Sequence, residues 1–147
     1  MSRSTDFFQR MVEPTGRDFL ETKGDQRMGC FAAIVLNQMA DYWAHDGHAP
    51  SASNLRDQLR IECPPFALIA DVADATKHAE LDRRNRSLTS AEQISSPPGA
   101  FTSPWGSGVF REAWVVGVTL DDRTTLSLPA AVQAVLVMWR DKLNTAK

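Results

Sequence analysis

The sequence is short of the residues that usually announce a chemistry. It has only two cysteines, Cys30 and Cys63. Two thiols in a chain of 147 residues do not make a disulfide framework. They read as reduced thiols in a cytoplasmic protein. There is no glycine-rich phosphate loop, no cysteine-histidine metal box and no nucleophile elbow. Charge of one sign is also missing. The formal net charge is -2, without the basic excess typical of a general nucleic-acid binder. The longest apolar run, "FAAIVL", is far too short to span a bilayer, so no membrane role is expected. The opening "MSRSTDFFQR" lacks the apolar stretch of a signal peptide. These absences place the expected setting in the cytoplasm, with a bacterial source as the expectation.

What is present is ordinary globular composition, 43% apolar and 23% charged residues. That suffices for one compact domain over residues 1–147 with a real core. The apolar spacing predicts helices. Phe7, Phe8, Met11 and Val12 form a short amphipathic stretch, which "EPTG" interrupts or restarts. A strong helix follows from about Asp25 to Asp46, with Phe31, Val35, Met39 and Tyr42 at helical steps. Ser53 is the expected cap of a next helix, with Leu55, Leu59 and Ile61 on its buried side. Pro64 and Pro65 then open a helix running to about Leu81, with Leu68, Val72, Ala75 and Ala79 on one face.

A Pro/Gly-rich loop occupies residues 95–108. "EAWVVGVTL" and "TTLSL" flank "DDR" and read as a β-hairpin. Pro129 opens a last helix with Val132, Val135, Leu136, Trp139 and Leu143 inward. The expected fold class is α+β, mainly α: a bundle of about five helices with a small antiparallel β-hairpin before the last helix.

Candidate chemistry concentrates in "DVADATKHAELDRRNR". On a helix, Asp71, Asp74 and His78 lie along one line at the rim of the apolar face, with Lys77 pointing further out. A second cluster, Asp41 and His45, sits four residues apart on the preceding long helix. The bland role for these residues is to lock helix packing, each carboxylate holding a histidine or a backbone group. A catalytic role would make His78 a general base oriented by Asp74, with Asp71 and Lys77 beside them. A metal role wants the Glu-x-x-His repeat on two helices, and the chain lacks it. Neither metal nor cofactor is therefore expected. Arg83, Arg84 and Arg86 sit where cations complement a helix C-terminus, and they are the candidates for phosphate or nucleic-acid contact. In and just after the long loop, Phe101, Trp105 and Phe110 are candidates for a partner contact, since aromatics are enriched at interface hot spots.

The segment "DVADATKH" resembles the active motif of the HEPN superfamily of small nucleases and nucleotide-binding proteins. There an arginine is followed, four to six residues on, by a histidine. His78 and the polar spacing match. Residues 71–73 contain no arginine, and Asp71 takes its seat. An arginine there would stabilise a phosphate transition state, whereas an aspartate repels the substrate. The resemblance implies a HEPN-like fold with a dead or altered site. The segment is also similar to short uncharacterised bacterial proteins with a "DVADAxKH"-type helix. The first expectation is a non-enzymatic interaction or structural module, a homodimer or the binder of another protein. The alternative is a HEPN-like nuclease or nucleotide-binding protein centred on His78, and only in that case is nucleic acid a partner.

The ligand inventory yields a prediction. The native protein should purify without a stoichiometric transition metal. Elemental analysis finding about one Zn, Mn or Fe per chain, lost in His78→Ala, would contradict it.

Overall fold

The computed structural model describes residues 1–79, 81, 86–96 and 115–147. The chain begins as one helical rod in three parts. Helix α1 (Arg3–Phe7) is capped by the Ser2 side chain, which accepts from Thr5 N. A π-helical turn (Phe8–Val12) follows, and α2 (Glu13–Glu21) completes the rod. The "EPTG" sequence thus restarts the helix without breaking it. Pro14 lies in the first turn of α2, and just before it the Glu13 N–H reaches back to Phe8 O in π register. Phe8 and Val12 both face the core.

Helix α3 (Gln26–His45) is the centre of the bundle and touches α1, α2, α4, α5 and α6. Its N-cap is Asp25, which accepts from Met28 N at 3.1 Å. Ala32, Val35, Leu36, Met39, Ala40 and Trp43 are buried. Phe31 is not part of this face: it is 54% exposed. Tyr42 is half-buried and stacks on Phe7, with ring centroids 4.0 Å apart. The apolar arc is rotated away from Phe31 because small residues such as Gly29, Ala32 and Ala33 admit the close approach of neighbours. A Cβ at Gly29 would lie 2.9 Å from atoms of both Phe19 and Leu128.

Helix α4 (Ala52–Glu62) is capped by Ser51, not Ser53, and so begins earlier than its spacing suggests. Leu55 and Leu59 are buried, but Ile61 is 83% exposed, because two residues beyond Leu59 it points to the opposite side of α4. Helix α5 (Pro64–His78) starts on its two prolines. It stops at Ala79, whose φ of 62° is left-handed, so Ala79 and Leu81 fall outside the helix.

Strands β1 (Ile94–Ser95), β2 (Gly117–Thr119) and β3 (Thr125–Ser127) form an antiparallel sheet in the order β1-β2-β3. The expected hairpin is β2–β3, with Val118 opposite Leu126. Strand β1 adds to it, with Ile94 opposite Val118. Helix α6 (Leu128–Thr145) is capped by Ser127 and carries Pro129 in its first turn. Val132, Val135, Leu136, Trp139 and Leu143 point inward. Trp139 is fully buried, donates from Nε1 to Leu36 O at 3.1 Å, and meets Phe66 edge-on. The fold is therefore mainly helical, with a small antiparallel sheet before the last helix. No helix among the described residues is long and apolar enough to cross a membrane.

The end of α3 is tied to the N-terminus through Asp46. Its Oδ2 accepts from Ser4 N at 2.8 Å and Ser4 Oγ at 2.6 Å, and Oδ1 from Arg3 N at 3.3 Å. Partial burial raises the Asp46 pKa, but the hydrogen bonds from Ser4 and Arg3 outweigh it and leave the carboxyl below its ordinary value. A carboxyl lowered on folding stabilises the folded state fully above its unfolded pKa, and that contribution disappears as pH falls through the folded pKa. Docking of α1 should therefore weaken below about pH 4. Amide exchange across residues 3–7 should show this loss in the native chain. In Asp46→Asn the same amides should be less protected at neutral pH and less sensitive to acid.

Candidate functional site

Helices α4 and α5 meet at Cys63 and lie against each other. This brings Arg60, near the end of α4, beside Asp71 on α5. The chain returning after α5 passes the same point through Arg86 and Ser87. Asp71 is only 1% exposed, so its carboxylate must be compensated by partners. Oδ1 accepts from Arg60 Nη2 at 2.8 Å and from Arg86 Nη1 at 2.9 Å. Oδ2 accepts from Ser87 N at 3.0 Å and Ser87 Oγ at 2.8 Å. These four bonds fill the usual accepting capacity of a carboxylate. Arg86 also forks to the next turn of α5, with Nη2 2.8 Å from Asp74 Oδ2. Its side chain is 12% exposed, which makes the pair of ion bridges partly desolvated.

One turn back on α4, Arg56 reaches α3. Its Nε donates to Asn37 Oδ1 at 3.0 Å, and its Nη2 donates to Asn37 O at 3.1 Å and to the Asp41 carboxylate. Asn37 is buried. The cationic partner of Asp41 is therefore Arg56. His45 is exposed and instead has its Nε2 2.9 Å from Arg3 Nη1. Asp41 and His45 share a face of α3 but serve different neighbours.

Asp41 and Asp74 do converge. Both line a groove of about 370 Å³ between α3, α4 and α5, together with Arg56, Arg60, Lys77 and Arg86. The histidines do not join them. His78 is exposed at the end of α5 and makes no hydrogen bond to a described residue. The aspartates along α5 thus hold arginines and a serine where the sequence suggested a histidine. Among the described residues, no three or more His, Cys, Asp or Glu side chains are grouped to share a metal ion. Cys30 and Cys63 are unpaired thiols, and Cys63 and His78 lie at opposite ends of α5.

Of the expected basic cluster, Arg86 takes part in the network, while Arg83 and Arg84 lie outside the described residues. Phe101, Trp105 and Phe110 also lie outside them. The residues that spacing missed are Asn37, Arg56, Arg60 and Ser87. A signal for two of them exists in "NLRDQLRIE", where Arg56 and Arg60 are one turn apart and flank Leu55 and Leu59. Comparison with protein-family models, curated proteins and solved structures finds no match for the chain.

The network implies a large energetic asymmetry. Removing the charge of Asp71 leaves Arg60 without a carboxylate partner among the described residues and Arg86 with Asp74 alone, so Asp71→Asn should destabilise the fold by about 3–5 kcal/mol. Denaturant unfolding measures this. A double-mutant cycle should give clear coupling between Asp71 and Arg86, and none between Asp71 and His78.

Proposed function

We propose that this chain is a non-enzymatic interaction module, and that the segment joining β1 to β2 is its contact element. That segment carries Phe101, Trp105 and Phe110. The observation behind this reading is how its two stems are held. Ser95 lies opposite Gly117 in the sheet. Ser96 Oγ donates to Gly24 O at 2.6 Å, and Val116 N donates to Lys23 O at 2.8 Å. Both stems are thus fastened to adjacent carbonyls between α2 and α3, and Ile94, Val116 and Val118 anchor them in the core. A long connection emerging from a rigid scaffold is the usual arrangement for binding loops. Tryptophan and phenylalanine are the residues such contacts favour. A second copy of the chain is the first partner to test, in the cytoplasmic setting expected from the sequence.

The HEPN-like alternative has one feature in its favour: Lys77 lines the groove and His78, next to it, is exposed. Against it stands Arg86, which already faces both Asp71 and Asp74, so that much of the charge it would offer a transferring phosphate is spent. A nuclease or nucleotide-binding role would require activity that His78→Ala abolishes.

Trp105→Ala should lower the melting temperature. It should also abolish any concentration dependence of sedimentation if the contact is between copies. A variant matching the native protein in both measurements would remove the support for this reading.

A further inference from the structure

The groove between α3, α4 and α5 contains two cations whose binding capacity is not used up. Arg56 is spent on Asn37 and Asp41. Arg86 is divided between Asp71 and Asp74. Arg60 donates from Nη2 to Asp71, and its other N–H groups meet no acceptor among the described residues. Its side chain is still 21% exposed to the groove. Lys77 lines the same groove, is exposed, and forms no ion pair with a described residue. Asp71 fixes one edge of the Arg60 guanidinium from the buried side, so the remaining edge is oriented before any ligand arrives. Lys77 adds a compact charge on a flexible stem.

Charge balance limits what can enter. Arg56, Arg60, Lys77 and Arg86 are matched in number by Asp41, Asp57, Asp74 and the underlying Asp71. A run of phosphates would meet these carboxylates as well as the cations. A single oxyanion group needs only Arg60 and Lys77. The geometry points to a site for the oxyanion end of a small ligand, a carboxylate or a phosphate monoester, held by Arg60 and Lys77. Asp57, exposed on the groove wall and without an ion pair among the described residues, then accepts from a donor elsewhere on that ligand. The groove volume of about 370 Å³ lies within the range of small-molecule pockets. The site uses neither His78 nor the β1–β2 connection, so its test is independent of the interaction role.

Amide NMR of the full chain can be followed while inorganic phosphate, acetate or chloride is added at matched ionic strength. Saturable shifts around Arg60 and Lys77 are expected with phosphate or acetate and not with chloride, with a Kd on the order of 1 mM. A response to phosphate alone assigns the phosphate-monoester class, and a response to acetate assigns the carboxylate class. Lys77→Ala, a surface change, should weaken binding about tenfold, as expected for loss of a charge-assisted contact. Lys142→Ala on α6 should leave it unchanged. Arg60→Lys keeps a cation opposite Asp71 but loses the planar fork, and should weaken binding in a chain that keeps its native spectrum. Shifts that follow chloride, fail to saturate, or persist unchanged in Lys77→Ala would overturn the proposal.

Discussion

The buried carboxylate of Asp71 is the constraint on which the arrangement around α5 depends. A charged group that is 1% exposed is tolerable only when its lone pairs are occupied and its charge is matched. Asp71 meets both conditions by drawing on three parts of the chain at once: Arg60 from α4, Arg86 from the segment after α5, and Ser87 through its backbone and hydroxyl. Each partner is held where Asp71 requires it. The packing of α4 on α5 and the path of the returning chain are consequently linked through one side chain.

That linkage extends to the sheet. Ser87, held by Asp71, accepts at its carbonyl from Asp121 N in the β2–β3 turn. Gln93 donates to Thr119 O and to Asp121 Oδ1, and accepts from Thr89 N. A polar chain therefore runs from the middle of α5 to the hairpin, and the hairpin supports the stems of the β1–β2 connection. The same carboxylate also holds one edge of Arg60 in the groove. Scaffold and groove share a single electrostatic anchor, which gives a physical reason for a buried aspartate in the middle of a helix whose other buried residues are all apolar.

The hairpin and the last helix were legible because their signals are local. A proline in the first turn and apolar residues at helical steps describe α6 without reference to the rest of the chain. The hairpin was legible from two short β-rich runs around "DDR". The short β1 was not, because two residues pair only when a neighbour is already in place. Phe31 and Ile61 misled for a related reason. Both fit an apolar helical pattern, but which side of a helix is covered depends on what packs there, and periodicity alone does not rank a phenylalanine above Gly29 or Ala33.

For the candidate site the division is sharper. The sequence by itself determined that Asp71, Asp74 and His78 lie along one side of a helix, because 3.6 residues per turn leaves no alternative. It also determined that Asp71 would sit close to the apolar face. Only the tertiary structure decided that the partners are arginines. Arg60 and Arg86 are distant from Asp71 in sequence, by 11 and 15 residues, and reach it through a helix reversal and a returning loop. Helical spacing carries no information about which cation is delivered across such connections. Burial of the carboxylate then selects donors that can match its charge and fill its lone pairs, and the exposed His78 at the helix end is left outside the network.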